Sequence, residues 1–329
     1  MLRKRTLHIR CYPHRLNRKR RDVKDIKSIV NTIQESLTGT LVPAQCYHRR
    51  IEKSSNSFSD AEKGKACKWI EHTNPTSNHD DACKLHEGDT CRWIIRDEQW
   101  SKWLSCHQRM IWIHGIPGAG KTVLASYLIE HVKAHCKALQ SDRSICLYYY
   151  CSYIHNQDET KPFLRWIVSQ LCRRFNYVPL SAATSYRSNQ EPSLEDLEDT
   201  LKDLVSYLDV LYIIVDAVDE SIPREDFLKL LQVLACDPAF TKIQLLVTSR
   251  NYADIDSVLR PLAGTTIPMS NAVVDEDIRI YVNVSLQGHN FKRWPKDLCT
   301  EVEESLVRGA KGMLVLFFPV IALGLTYLE

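Results

Sequence analysis

The stretch HGIPGAGKT, residues 114–122, constrains this chain more than any other. The chain has only 11 glycines in 329 residues, yet Gly115, Gly118 and Gly120 fall within these nine positions. Gly115-Ile116-Pro117-Gly118-Ala119-Gly120-Lys121-Thr122 fits the pattern G-x-x-x-x-G-K-[ST]. Consecutive backbone N–H groups can cradle an anion only if they curl inward and no side chain blocks the approach, which is what the glycines permit. A lysine at the seventh position reaches the β- and γ-phosphates of a nucleotide, and the following hydroxyl suits Mg²⁺. An apolar strand, MIWIH, precedes the loop and an apolar-periodic helix, KTVLASYLIEHVKAH, follows it, so the helix turns its positive end toward the anion. A tight strand-to-helix turn alone needs no Lys-Thr pair.

The rest of the chain supplies the sheet that such a loop requires. ICLYYYC, VLYIIVD, IQLLVTSR and TTIPMS read as four further strands. The unbroken apolar run of VLYIIVD is typical of a parallel sheet covered on both faces. Between them, KPFLRWIVSQLCRRF, SLEDLEDTLKDLVSYL and REDFLKLLQVLA read as amphipathic helices, with Ser193 and Asp196 as a capping signature for the second. Strands alternating with helices give a three-layer α/β fold with a mainly parallel five-stranded sheet. Upstream, CRWIIRDEQWSKWLSC gathers Trp93, Trp100 and Trp103 into a buried anchor.

Two more segments bear on chemistry. LYIIVDAVDE places Asp216 at the end of a buried strand, where a carboxylate can hold Mg²⁺, and Glu220 beyond it, where a carboxylate can polarise an attacking water; Asp219 stands beside it. LLVTSR brings Thr248, Ser249 and Arg250 to the carboxyl end of another strand, the edge where α/β sheets bind ligands. Arg250 is a candidate for sensing or neutralising the γ-phosphate.

Charge and cysteine usage narrow the remaining classes. The formal net charge is +3, but residues 1–21 carry nine Lys or Arg and no acid, so the rest of the chain is net negative. The basic segment is an arm without interleaved aromatics, read as a solvated terminus in preference to a nucleic-acid platform. The 12 cysteines form no Cys-x-x-Cys pair, and the N-terminus lacks the apolar core of a secretory signal, so reduced thiols and a cytoplasmic location are expected. Cys67, His72, His79, Cys83, His86 and Cys91 lack the paired spacing of a structural zinc site and read as partly buried thiols and surface histidines. Residues 23–37 read as a short amphipathic helix, and 38–88 as polar loop or linker.

These motifs together resemble the NACHT class of STAND nucleoside triphosphatases, in the fungal form with a nephrocystin-like N-terminal module. HEGDTCRWIIRDEQWSKWL is similar to that family's lead-in, WIHGIPGAGKTVLASYLIEH to its P-loop segment, YIIVDAVDE to its Walker B and LLVTSR to its sensor strand. VDEDIRIYVNVSL, FKRWPKDL and KGM resemble the helices that follow. The likeness covers about residues 69–313. It implies a cytoplasmic, ATP-preferring switch that binds ATP or ADP with Mg²⁺, hydrolyses slowly and self-associates or engages other signalling proteins, in fungi for non-self recognition or cell death. The implied organisation is a basic arm and short helix over 1–40, a polar linker over 41–88, the nucleotide domain over 89–270 and a helical extension over 271–329. Past Lys311-Gly312-Met313 the chain departs from the family, reading MLVLFFPVIALGLTYLE where a winged-helix region and repeats are expected. It therefore reads as truncated, and the apolar tail, 16 residues from Met313 to Leu328 with Pro319 inside, is short for a membrane span. The alternative is a truncated nucleotide-binding or scaffold module with little or no hydrolysis.

Overall fold

A computed structural model describes residues 58–269, 271–288, 291 and 294–310. The basic arm, the helix expected over 23–37 and the apolar tail lie outside the described residues.

Five strands form the centre: β1 (Met110–His114), β2 (Ser144–Tyr150), β3 (Val210–Asp216), β4 (Ile243–Ser249) and β5 (Thr266–Pro268). They form one sheet in the order β2-β3-β4-β1-β5, and every pairing is parallel. Parallel strands need crossovers, and covering helices make both faces of the sheet core. All seven residues of β3 and all seven of β4 are accordingly buried. The fold expected from the sequence, a three-layer α/β domain on a parallel five-stranded sheet, is the one observed.

Side-chain alternation divides the core. On one face Ile111, Ile113, Tyr212, Ile214 and Leu246 pack with Leu124, Leu128 and Val132 of α4 (Lys121–Ala138). The other face is covered by α5 (Thr160–Phe175), α8 (Glu225–Cys236) and α9 (Ala253–Ala263). There Phe163 meets Tyr149 and Phe227 edge-on, each with ring centroids 5.5 Å apart. Helices α6 (Leu180–Ser188) and α7 (Leu194–Ser206) pack together outside this layer, and the Ser193–Asp196 capping box forms as the sequence predicts.

The polar-linker reading fails for the described part of residues 41–88. Helices α1 (Asp60–Ile70) and α2 (Thr76–Leu85) occupy it. Their apolar content is low: α1 buries Ala66, Cys67 and Ile70, α2 buries Ala82, and polar contacts add to this. Ser59 and Glu62 form a capping box at the start of α1. At its end Arg165 donates from Nε to the Ile70 carbonyl at 2.7 Å and from Nη2 to the Trp69 carbonyl at 2.8 Å. In α2, His79 is buried, not on the surface as its polar context suggests; its ring nitrogens lie 3.0 Å from the Tyr150 hydroxyl and 3.0 Å from Glu130.

The tryptophan lead-in is core. In α3 (Glu98–Leu104), the rings of Trp100 and Trp103 meet at a tilt with centroids 5.3 Å apart, and Trp103 meets Tyr212 of β3 edge-on at 5.2 Å. The Trp103 indole donates to the Leu245 carbonyl at 3.1 Å, and the Tyr212 hydroxyl donates to the Leu104 carbonyl at 2.7 Å. Trp103 is fully buried. We therefore expect Trp103→Ala to lower unfolding free energy by about 3–5 kcal/mol in urea denaturation; an unchanged midpoint would contradict its place in the core.

Candidate functional site

β1 and β4 run in register to their carboxyl ends, with His114 opposite Ser249, and β3 lies on the far side of β4. The loops leaving all three strands therefore emerge together. After His114, the Gly115 N–H donates to the Ser249 carbonyl at 3.3 Å, and the Met269 N–H to the His114 carbonyl at 2.7 Å, so β5 closes the other flank. Gly118 and Gly120 have φ of 74° and 87°, values that glycine adopts without the steric cost of a side chain. A Cβ on Gly115 would lie 3.0 Å from the Met269 Cβ, so this glycine answers to a close approach.

Lys121 opens α4 and folds back over the loop, donating from Nζ to the Gly115 carbonyl at 3.0 Å and the Ile116 carbonyl at 2.9 Å. Burial lowers its pKa, and the carboxylates of Asp219 and Asp216 work against that. Asp216 ends β3 and is 2% exposed. Its Oδ1 accepts from the Thr248 hydroxyl at 2.5 Å, and Thr122 supplies a second hydroxyl. Burial raises its pKa, while these two hydroxyls and Lys121 oppose the rise.

The chain turns sharply after Asp216. Ala217 takes a left-handed conformation, φ 58°, and donates its N–H to the Thr248 hydroxyl oxygen at 3.1 Å. Such a backbone in a non-glycine residue is sparsely populated and tends to be kept at functional sites. A short 3-10 turn, Val218–Glu220, follows. Glu220 accepts from the Tyr153 N–H at 3.2 Å, and its pKa is raised by burial and by Asp219 and Asp216. Asp219 bridges to β4's end: one oxygen accepts from the Arg250 N–H at 2.9 Å, and the other lies 3.1 Å from Arg250 Nε. Arg250 is thus paired with Asp219, and its Nη1 donates to the Tyr252 hydroxyl at 3.1 Å. The structure brings the phosphate loop, Asp216, Asp219, Glu220 and Arg250 to one place.

Pro117 to Thr122, Asp219, Glu220 and Arg250 line a cavity of about 290 Å³ whose opposite wall the sequence reading did not identify. That wall consists of Thr90 and Cys91 ahead of α3, Met269 after β5, and Asp277 and Tyr281 of α10 (Asn271–Leu286). HEGDTCRW and VDEDIR resemble family segments, but neither contains a chemical pattern that marks a lining residue. Cys91 and Asp277, which meet there, are 186 positions apart in the chain.

Comparison with known proteins bears on this geometry. The nephrocystin 3 N-terminal family matches residues 89–250, from the lead-in through Arg250. Over residues 89–250 the chain is similar to a nephrocystin-like N-terminal module. The module's chain is 26% identical over 222 residues to the vegetative incompatibility protein HET-E-1 of Podospora anserina, a match covering 63% of this chain and 16% of that protein. The NACHT and nephrocystin-like resemblance read from the motifs agrees with both findings. Among solved structures, Cdc6p of Pyrobaculum aerophilum is 16% identical, with a TM-score of 0.41, covering 64% of this chain and 52% of that one. The Aeropyrum pernix ORC1 protein, solved in complex with DNA, is 13% identical with a TM-score of 0.44, covering 80% of this chain and 65% of that one.

Neither metal nor membrane chemistry adds a second site among the described residues. No group of three or more His, Cys, Asp or Glu there could hold a metal ion, and no helix there is long and apolar enough to cross a membrane.

The raised pKa of Asp216 has a consequence for stability. A carboxyl whose pKa is higher folded than unfolded loses stability as pH rises through that interval, so ionised Asp216 burdens the fold at neutral pH. Asn cannot ionise and keeps an acceptor for Thr248. We expect Asp216→Asn, without nucleotide, to melt at or above the wild type at pH 7, the difference closing toward acid. A lower melting temperature at pH 7 would show that the charge stabilises the site.

Proposed function

We propose that the chain is an ATP-preferring, Mg²⁺-dependent nucleoside triphosphatase of the NACHT class, slow in turnover and acting as a regulatory switch. The observation that carries this reading is the juxtaposition of Asp216 with Thr122 and Lys121, the last two lining the cavity. Lys121 spends its donors on its own loop's carbonyls, a contact a phosphate can replace with stronger, charge-assisted bonds. The N–H groups of residues 118–122 and the start of α4 favour the same anion. The cavity beyond, lined by Leu85, Pro117, Met269 and Tyr281 as well as polar groups, suits a nucleoside.

The donor set beside the loop fits Mg²⁺: a hydroxyl and a carboxylate, hard oxygen ligands already in contact. When bound, the ion would neutralise charge between the β- and γ-phosphates. Thr122 would hold it with its hydroxyl, and the Asp216 carboxylate would hold it through water. Glu220 would orient a water and accept its proton, a role for which its raised pKa makes it the stronger base. Asp219 and Arg250 would act together, Arg250 reaching the γ-phosphate only by leaving Asp219.

That pairing also favours the second reading, a module that binds nucleotide and barely hydrolyses it, because the arginine is engaged elsewhere. The name of the Podospora anserina relative supports a role in vegetative incompatibility, hence in non-self recognition or cell death. The same family reading suggests a cytoplasmic protein that self-associates or meets other signalling proteins. It also suggests a nucleotide domain over 89–270, followed by a helical extension over 271–329.

Lys121→Ala should abolish Mg-ATP binding in calorimetric titration; near-wild-type affinity would sink the assignment. Glu220→Gln should spare binding and slow phosphate release. Because Glu220 must be ionised to act as a base and its pKa is raised, the wild-type rate should fall as pH drops through a midpoint above the usual carboxylate value of about 4.3. Identical release rates for wild type and Glu220→Gln would leave only the binding module.

A further inference from the structure

Asp277 is an acid that neither phosphate chemistry nor water activation uses. It lies on α10, beyond the residues matched by the nephrocystin family, and is 6% exposed. Both its oxygens are engaged, and both by the same distant segment. Oδ1 accepts from the Cys91 N–H at 3.0 Å and Oδ2 from the Trp93 indole at 3.1 Å. Burial raises its pKa, and the two donors oppose the rise, as does the nearby His86; Glu276 is the like charge that adds to it. A buried carboxylate is costly unless it is hydrogen-bonded, and both oxygens of Asp277 are.

The partners explain the use. Cys91 has φ 65°, a left-handed conformation that a residue with a Cβ seldom adopts. The bond from its N–H to Asp277 holds that conformation. The turn it creates carries Thr90 and Cys91 into the wall of the cavity, facing Pro117 and Gly118 of the phosphate loop. The same turn is braced from behind: His86 Nε2 lies 3.2 Å from the Thr90 carbonyl and its ring stacks on Tyr127 of α4 at 4.9 Å. The Cys91 thiol itself is pushed up to about 12 by burial and Asp277, so it stays protonated and serves packing. Tyr281, one helical turn after Asp277, lines the same cavity.

Behind the clasp, α10 is fixed to the domain by Val274, Ile278 and Val282, all buried. It also packs against α11 (Lys296–Ala310), where Arg279 pairs with Glu303 at 3.1 Å. Displacing α10 from the 90–93 turn therefore breaks the Asp277 bonds and leaves that turn to its His86 brace.

We propose that Asp277 is a positioning residue that holds the Thr90–Trp93 turn as the nucleoside-side wall of the cavity, so that binding of the base and ribose is coupled to the docking of α10. This rests on the nucleotide reading of the site and deepens it. The phosphate loop has its own backbone and its own strand contacts and does not depend on the clasp. Asp277 therefore contributes to nucleosides and not to bare polyphosphate, which a general loss of structure could not imitate.

The experiment is calorimetric titration of the full chain with Mg-ADP and, separately, with Mg-tripolyphosphate. Wild type binds both. Asp277→Ala should lose about tenfold or more in ADP affinity and stay within about twofold for tripolyphosphate, since two donors to a charged acceptor lose their partner. Trp93→Phe keeps an aromatic side chain and removes the indole donor; it should show a smaller loss, again confined to ADP. If Asp277→Ala does not fold, Trp93→Phe decides. Equal losses for both ligands, or no loss for ADP, would overturn the proposal. Wild-type protein that binds neither ligand would overturn the nucleotide reading itself, and the clasp's function with it.

Discussion

The parallel register of β1, β4 and β3 is the constraint on which the rest of the structure depends. Because His114 and Ser249 are paired and Val215 faces Val247, the three strands end at one level. The phosphate loop, the Asp216 turn and Arg250 leave the sheet side by side for that reason alone. The apolar residues of these strands secure the register, since a slip would move core side chains to the wrong face. Chemistry at the strand ends thus rests on burial along the strands, and Trp103 reinforces it from beneath by bonding to the Leu245 carbonyl.

The polar groups at this edge are satisfied by one another. Lys121 rests on loop carbonyls, Asp216 on two hydroxyls, Asp219 on Arg250, and Glu220 on the Tyr153 N–H. A ligand must therefore exchange bonds, not simply fill space, and its affinity is the difference between two sets of contacts. The Asp219–Arg250 pair is uneven: Asp219 is buried, whereas the Arg250 side chain is 40% exposed. A partly exposed pair of this kind contributes modestly and can open at little cost.

The sequence disclosed what is local or apolar. The five strands follow from short apolar runs, and the loop follows from glycines whose positions have a steric purpose. Helices α1 and α2 escaped because DAEKGKACKWI and TSNHDDACKL are polar overall, and what orders them, Arg165 on the end of α1 and Tyr150 on His79, comes from far along the chain. Helices α6 and α9 lay in segments given no assignment; α9 contains Pro261, which reads as a breaker. The cavity's second wall was hidden for a stronger reason. Nothing in the letters around Asp277 or Cys91 signals that they touch, and the left-handed turn at Cys91 has no glycine to announce it. The pairing of Asp219 with Arg250 was equally invisible, although both residues were singled out.

The central claim is that this strand edge binds a nucleotide through its phosphates with Mg²⁺. Thermal unfolding of the full chain against Mg-ADP concentration tests it most directly, because a ligand of the folded state alone must stabilise it by mass action. The account predicts a midpoint that rises continuously with ligand, by the equivalent of about 2.7 kcal/mol at a hundredfold excess over the dissociation constant, and a smaller rise when the Mg²⁺ is chelated. A midpoint that does not move at millimolar Mg-ADP would contradict it.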